Sequence, residues 1–415
     1  MSDRTGVKQK LPVIALCIIA LVYILYAWDR LVVPIELVDL RSVYGFSMSI
    51  AGLLGSVFTL GLALMAIPAG IIVMRFGTRA TLVGGAILFS LCVAYPAVGF
   101  TAVDLVIVQV LSGAGEGLYN VALYSFLGRL TEKYRGTATG LAASLFGVGL
   151  FLAPLSVSAI VGATGSWRSP FFIFAIAGLV GAWGIALALR KGSSIESTEP
   201  RAPMTRERLR RVLVPRNIAV CCVMIVAGLA IYSFLGVFTT YLRTVQHMDL
   251  AGAARIFSLE GFGSIVGGMP CGYVADMVGR KRYLVAAAIV AGIAGPAAFV
   301  APPIPLLLGA ICFTFGAATN SIYANCYALI QDQVKKEEIP LATGLLATIY
   351  FLMAAFSGYL LVAAESALGW AMAGVVIYAI PCAAAVLVIL GLIYTERTPP
   401  TAAAPGASAG GARMR

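Results

Sequence analysis

Four ionisable side chains interrupt long apolar stretches of this sequence, and they are the first candidates for chemistry. They are Asp29, Arg30, Glu116 and Glu260. Placing one charged group at the centre of a membrane costs roughly 3 kcal/mol on insertion scales, so such residues are functional candidates by default. For Glu260 the sequence allows three roles: a functional acid, an ion pair with Arg255, or a neutral acid in a helix contact.

Arg30 lies on one helical face with two tyrosines. Tyr23 and Tyr26 precede it by seven and four residues, spacings that place all three side chains on the same side of a helix. A guanidinium binds a carboxylate through two hydrogen bonds, and tyrosine hydroxyls can add others. We therefore predict that Arg30, Tyr23 and Tyr26 bind an anion. The alternative is a structural ion pair between Arg30 and Glu116 or Asp29.

The acids beside this face are candidates for proton coupling. Burial disfavours the charged form of a carboxyl, whereas a nearby arginine favours it. Glu116 could thus change protonation as a substrate occupies or leaves Arg30, and Asp29 could share that task. Since adjacent helical residues point about 100° apart, we expect Asp29 and Arg30 to face different partners.

The composition excludes a soluble enzyme. Of 415 residues, 60% are apolar and 11% are charged, whereas about a quarter of the residues of a soluble domain are charged. One histidine, His247, excludes a histidine-rich metal site, and no Walker sequence indicates ATP binding. We expect no enzyme activity, metal or cofactor.

Apolar runs long enough to cross a bilayer recur twelve times along the chain. They lie near residues 11–35, 48–73, 80–98, 103–128, 137–163, 168–190, 217–242, 252–275, 282–300, 304–330, 340–364 and 369–394. We predict an all-α membrane protein of two pseudo-symmetric six-helix bundles. The first bundle takes residues 1–190, a cytoplasmic linker 191–216, the second bundle 217–396, and a disordered cytoplasmic tail 397–415.

Basic residues indicate how the chain is oriented. With both termini in the cytoplasm, 24 of the 29 Lys and Arg residues fall in cytoplasmic segments. The exceptions are three arginines in the opposite loops and two within or near helices: Arg41, Arg168, Arg243, Arg30 and Arg255. This asymmetry satisfies the positive-inside rule for an inner-membrane protein. The net charge of +11 therefore reports topology and does not indicate nucleic-acid binding.

One loop pattern, G-x-x-x-D-x-x-G-R-K-R, occurs after the second span and again after the eighth. The first copy contains Gly70, Arg75, Gly77 and Arg79, and the second contains Gly272, Asp276, Gly279, Arg280 and Arg282. Such a repeat indicates an internally duplicated transporter. It resembles the cytoplasmic loop motif of the major facilitator superfamily, in which the acid and the basic run pair with neighbouring helix ends and latch one gating state. Because Met74 replaces the acid in the first copy, we expect the stronger latch at Asp276.

The fourth span points to one branch of that superfamily. Gly113, Gly115, Glu116 and Gly117, together with Trp28-Asp29-Arg30, resemble the anion:cation symporters, although Gln109 stands where many members have arginine. The resemblance implies proton-coupled uptake of a small organic anion, such as a carboxylate or sugar acid, by a monomer in the bilayer.

The resemblance also implies that the first, fourth, seventh and tenth helices line the cavity. Four further polar residues thereby become candidate ligands: Asn120, Tyr232, Asn320 and Tyr323. Each could equally form a hydrogen bond between helices. The alternatives are a proton-driven exporter of amphipathic compounds, although the fifth span lacks the last glycines of the drug-antiporter motif, and a membrane sensor that transports nothing.

Overall fold

The computed structural model describes residues 13–46, 48–99, 101–130, 132–189 and 205–397, and these segments form fifteen α-helices. The helices up to the linker are α1 (Val13–Ile35), α2 (Leu37–Tyr44), α3 (Met48–Phe76), α4 (Thr78–Ala94), α5 (Ala102–Leu130), α6 (Arg135–Thr164), α7 (Ser169–Ala188) and α8 (Arg206–Val212). The others are α9 (Pro215–Thr244), α10 (Leu250–Gly267), α11 (Met269–Val278), α12 (Arg280–Val300), α13 (Pro305–Asp332), α14 (Ile339–Gly374) and α15 (Ile380–Arg397).

The predicted membrane architecture is confirmed. Within the described segments, ten helical stretches are long and apolar enough to cross a membrane, and one of these, Lys336–Thr395, has 60 residues and provides two crossings. The helix pair α10 and α11 provides another, which brings the total to twelve. A helix suits these apolar runs because it satisfies every backbone hydrogen bond without water.

Two crossings depart from a simple helix. The eighth predicted span is broken at Gly268 (φ −76°, ψ −106°) into α10 and α11. Pro270, at the start of α11, has no N–H to continue the ladder. The eleventh and twelfth crossings are separated at Gly369, whose φ of 77° lies in the left-handed region. The apolar runs near 340–364 and 369–394 predicted the second separation, whereas the break at Gly268 lies inside a single predicted run and was not predicted.

The halves pack on each other through α3 and α6 of the first half. We call the membrane face at which α1 begins and α15 ends the terminal face. Helix α3 packs on α14, and α6 packs on both α10 and α11. Glycines permit this approach, since a Cβ on Gly272 would lie 2.2 Å from the Gly136 carbonyl oxygen.

The predicted linker contains a short helix. Its first part lies outside the described residues, but α8 begins after Thr205, whose hydroxyl accepts a hydrogen bond from the Arg208 N–H at 3.3 Å. Arg211 of α8 pairs with Glu338 at 3.4 Å, which ties the linker to the start of α14. The predicted tail lies outside the described residues beyond Arg397, and the bundle boundaries remain predictions.

Adjacent glycines on α4 allow a test of the packing. A Cβ on Gly85 would lie 2.8 Å from both the Gly115 carbonyl oxygen and the Tyr119 amide nitrogen, whereas one on Gly84 would meet nothing within 4 Å. Because backbone atoms of α5 would have to move, we expect Gly85→Ala to destabilise the fold by about 1–3 kcal/mol. Thermal unfolding in detergent should show a lower midpoint for Gly85→Ala than for Gly84→Ala. Equal midpoints would contradict the helix packing.

Candidate functional site

Arg30 is buried between the two halves and has three hydrogen-bond partners. Its Nε donates to Glu116 Oε2 at 2.8 Å, and its two Nη atoms donate to the hydroxyls of Tyr26 and Tyr232. The guanidinium carbon also lies 5.0 Å from the ring centroid of Phe146. Its side chain is 9% exposed and that of Glu116 is 0% exposed. These bonds use three of the five N–H donors of the guanidinium, so an anion in the cavity can bind the remaining Nη hydrogens or exchange with one of these partners.

Asp29 joins the same cluster, so the expectation that it faces away from the partner of Arg30 is wrong. Its carboxyl accepts a hydrogen bond from Ser112 Oγ at 2.9 Å and lies within hydrogen-bonding reach of the Glu116 carboxyl. The helical offset of about 100° between neighbours does not separate the two head groups, because the long arginine side chain reaches back to Glu116. The structure thus brings Asp29, Arg30 and Glu116 together.

Asn120 links the predicted tyrosines across the two halves. Its Nδ2 lies 3.2 Å from the Tyr23 hydroxyl and 3.4 Å from the hydroxyl of Tyr323, which belongs to α13. The rings of Tyr23 and Tyr26 stack with centroids 4.8 Å apart. The predicted aromatic face is therefore continuous with a polar contact to the second half.

A narrow cavity of about 20 Å³ lies between the halves at this level. Of the seven residues predicted to bind substrate, six line it, namely Tyr23, Tyr26, Arg30, Asn120, Asn320 and Tyr323. Tyr232 contributes through its contact with Arg30. This space has room for about one or two water molecules, so the halves must move apart before a substrate molecule can enter.

Four further polar or aromatic residues line the cavity and were not among the predicted ligands: Phe146, Glu260, Ser264 and Tyr350. Glu260 had been singled out as a buried acid, and its partner is Ser264 Oγ at 3.3 Å, one turn along α10. This bond to Ser264 was not predicted from the sequence. A hydroxyl four residues after an acid was the signal for Ser264, whereas nothing in the sequence distinguished Phe146 or Tyr350.

Asp276 lies at the terminal face and binds the start of α6. Its carboxylate accepts hydrogen bonds from the Gly136 N–H at 3.0 Å, the Thr137 N–H at 2.8 Å and the Thr137 hydroxyl at 2.7 Å. Arg280 Nη2 donates to the same carboxylate at 2.7 Å. An anion is favourable at a helix N-terminus because unpaired N–H groups and the helix dipole point toward it. This arrangement joins the second half to the first.

A second acid strengthens this junction and was not predicted. Asp332, the last residue of α13, accepts from Arg135 Nη1 at 2.6 Å and also pairs with Arg280. Nearby, Lys336 contacts Glu132 at 2.9 Å, and this contact lowers the pKa of the Glu132 carboxyl. The terminal face is therefore closed by ionic contacts between the halves.

The first copy of the loop motif makes its contacts within its own half. Arg79 Nη2 donates to the Ala186 carbonyl at the end of α7, at 2.8 Å. Gly77 and Gly279 end α3 and α11 with φ of 85° and 95°. The turn is therefore the same in both copies although the contacts differ.

The remaining motif residues differ in their surroundings. Gly70 is interior to α3, where a Cβ would lie 2.5 Å from the Pro340 carbonyl oxygen. The guanidinium of Arg75 lies over the Phe76 ring at 5.3 Å. Arg75 and Arg282 are exposed.

Comparisons with known proteins agree with this architecture. A model of the Major Facilitator Superfamily matches residues 19–358 and, in a second match, residues 220–413. Among solved structures, the fucose:proton symporter of E. coli superposes with a TM-score of 0.74 at 18% identity, covering 92% of this chain and 99% of that one. The human organic anion transporter MFSD10 superposes with a TM-score of 0.71 at 14% identity, covering 91% and 99%.

Relatives found by sequence carry the names of anion carriers. "Probable anion transporter 2, chloroplastic" from Oryza sativa subsp. japonica is 25% identical over 346 residues, which span 78% of this chain but only 62% of that protein. "Probable sulfoacetate transporter SauU" from Cupriavidus necator is 23% identical over 337 residues, 74% of this chain and 77% of that protein. With most of its length matched by the family model, the chain belongs to the Major Facilitator Superfamily and is a membrane transporter rather than an enzyme.

Proposed function

We propose that this transporter takes up a small organic anion together with protons, with Arg30 as the anion-binding residue. The observation that carries the proposal is the Arg30–Glu116 ion pair, 2.8 Å long, which lies beside Asp29 and whose arginine lines the central cavity. The names of the relatives, an anion transporter and a sulfoacetate transporter, support an anionic substrate.

Exchange of partners at Arg30 provides the coupling. A substrate carboxylate displaces Glu116 from the guanidinium, so Glu116 loses the positive charge that stabilises its ionised form. Glu116 then lies beside Asp29 and is buried from solvent, and two contacting buried carboxylates cannot both remain charged at low cost. Glu116 therefore takes up a proton when substrate binds and loses it when Arg30 becomes free again.

Alternating access requires that the terminal face open and close. We place this face in the cytoplasm of an inner-membrane protein, because basic residues concentrate there. Asp276 and Asp332 then hold the cytoplasmic side shut while the central cavity is loaded from the other side. Opening toward the cytoplasm breaks their contacts with Gly136, Thr137 and Arg135.

Arg30→Lys tests the anion site. The variant keeps the charge but loses the planar fork that binds a carboxylate through two hydrogen bonds, so we expect substrate affinity to fall at least about 10-fold. A thermal-shift screen against organic acids first identifies a ligand, whose affinity is then measured by calorimetry. Arg75→Lys, on the exposed loop, is the matched control. Near-normal affinity in Arg30→Lys would mean that Arg30 is not the anion ligand.

Glu116→Gln tests the coupling. Glutamine mimics the protonated acid permanently, so substrate exchange should persist whereas accumulation driven by a pH gradient should be lost. Asp29→Asn should give a similar, partial defect because its carboxyl contacts Glu116. Counterflow and pH-driven uptake in proteoliposomes separate these effects. Retained proton-driven accumulation in Glu116→Gln would exclude it as the coupling residue, and equal loss of both activities would assign it a purely structural pairing with Arg30.

Asp276→Asn tests the latch. Removing this charge weakens the bonds to Gly136 and Thr137, so the terminal face should spend more time open. Met74→Asp, at the equivalent position of the first half, should have a smaller effect. A cysteine introduced between α6 and α11, in a background without other reactive cysteines, should react several-fold faster in Asp276→Asn. Equal labelling of Asp276→Asn and the wild type would contradict the latch.

A further inference from the structure

The cavity has a second polar end that the anion site does not use. Glu260 and Ser264 of α10 and Asn320 of α13 line the cavity from the second half, whereas Arg30 lines it from the first. Glu260 is 3% exposed and Asn320 is 6% exposed. Both side chains are therefore shielded from bulk water and face the space that a ligand would occupy.

Among the residues that the structure describes, none is a cationic partner of Glu260. Within the described part of the chain, Ser264 is the polar group that bonds to its carboxyl, at 3.3 Å, and no lysine or arginine pairs with it. Arg30, across the cavity, is already neutralised by Glu116. A buried carboxylate without a counter-charge is costly, and a bound cation would remove that cost.

Asn320 presents only an acceptor to the cavity. Its Nδ2 donates both of its hydrogens to backbone carbonyls, those of Ser264 at 2.7 Å and Ala143 at 3.2 Å. Because a carbonyl can only accept, these contacts fix the amide orientation, and within the described segments no donor to Asn320 Oδ1 is found. The second polar end therefore offers oxygen acceptors from a carboxyl and an amide, beside the Ser264 hydroxyl.

The break in the eighth span adds an electrostatic field that favours a cation. Helix α10 ends at Gly267, about one turn beyond Ser264 and two turns beyond Glu260, and the chain breaks at Gly268. The C-terminal end of a helix carries partial negative charge, and transporters commonly place ions at the ends of such broken helices. Ser144 of α6 spans the break, since it donates to the Ile265 carbonyl at 2.6 Å and accepts from the Met269 N–H at 2.8 Å.

We propose that Glu260, Ser264 and Asn320 form a binding site for a small monovalent cation, either Na⁺ or the protonated amine of a substrate. Hard cations and ammonium groups both bind oxygen acceptors, so the two sources share one chemistry. The amine alternative rests on the proposed function at Arg30, because the same molecule would present its carboxylate there. The Na⁺ alternative is independent of it.

Thermal unfolding of the purified full-length protein distinguishes the two sources. In the first arm, NaCl is compared with N-methylglucamine chloride at equal ionic strength. In the second arm, gamma-aminobutyrate is compared with butyrate, and glycine with acetate, so that each pair differs by an amine. Saturating cation should raise the unfolding midpoint by at least about 2 °C in one arm.

Variants assign the shift to the site. Glu260→Gln should abolish the cation-dependent shift, and Ser264→Ala should reduce it, which provides a second measurement if the glutamine variant folds poorly. Glu365→Gln, an acid of the same half outside the cavity lining, should keep the shift in full. An Na⁺ shift should also survive in Arg30→Lys, whereas an amine-dependent shift should weaken there.

Three outcomes decide the matter. A shift in either arm that requires Glu260 supports the cation site and identifies its source. No shift in either arm, or shifts that persist in Glu260→Gln, overturns the site even if carboxylates still stabilise the protein through Arg30. An Na⁺ shift that depends on Glu260, without stabilisation by any carboxylate, supports the cation site while contradicting the proposed function.

Discussion

A guanidinium and a carboxylate buried together at the middle of a membrane protein constrain everything around them. Neither Arg30 nor Glu116 can be removed alone without leaving an uncompensated charge away from water. Tyrosine hydroxyls of both halves accept hydrogen bonds from the two Nη atoms of Arg30, and aromatic rings lie over the guanidinium. Glycine packing between α3 and α5 excludes water behind Glu116, since a Cβ on Gly113 would lie 2.0 Å from the Phe58 carbonyl oxygen. The site is stable only while each charge keeps a partner. Under the proposed function, a substrate anion that binds Arg30 therefore changes the protonation or the position of the Glu116 carboxylate.

Helix α13 connects the central cavity to the terminal face. It carries Asn320 and Tyr323 in the cavity wall and ends at Asp332, which Arg135 and Arg280 hold. A helix of 28 residues is stiff, so a ligand that moves its middle also displaces its end. Its contacts with the first half occur at both levels, through Asn120 at the cavity and Arg135 at the terminal face. The same rigid element can therefore transmit ligand binding to the ionic contacts that close the protein.

The sequence predicted features governed by local pattern and missed those that depend on tertiary approach. Apolar run length was enough for twelve crossings, because lipid imposes helix on such runs, and helical spacing placed Tyr23, Tyr26 and Arg30 together. Helical spacing did not predict that Asp29 and Arg30 both contact Glu116. The long side chain of Arg30 reaches Glu116 despite the angular offset between Asp29 and Arg30. Local pattern also gave no sign of the break at Gly268, of Asp332 closing the terminal face, or of Phe146 and Tyr350 in the cavity wall. These depend on which helices meet, and a single sequence does not encode that choice in any local spacing.

The duplicated loop separates what the fold requires from what each half does with it. Gly77 and Gly279 both adopt positive φ, so the tight turn between two crossings is common to the copies. Only the second copy carries an acid, and its contacts cross to α6, whereas Arg79 of the first copy bonds α7 of its own half. The charges of the cavity are divided as unevenly, with Asp29, Arg30 and Glu116 in the first half and Glu260 in the second. The two halves share one backbone plan but differ in their charges: the first holds the buried Arg30–Glu116 pair, and the second supplies Asp276, which binds α6 of the first.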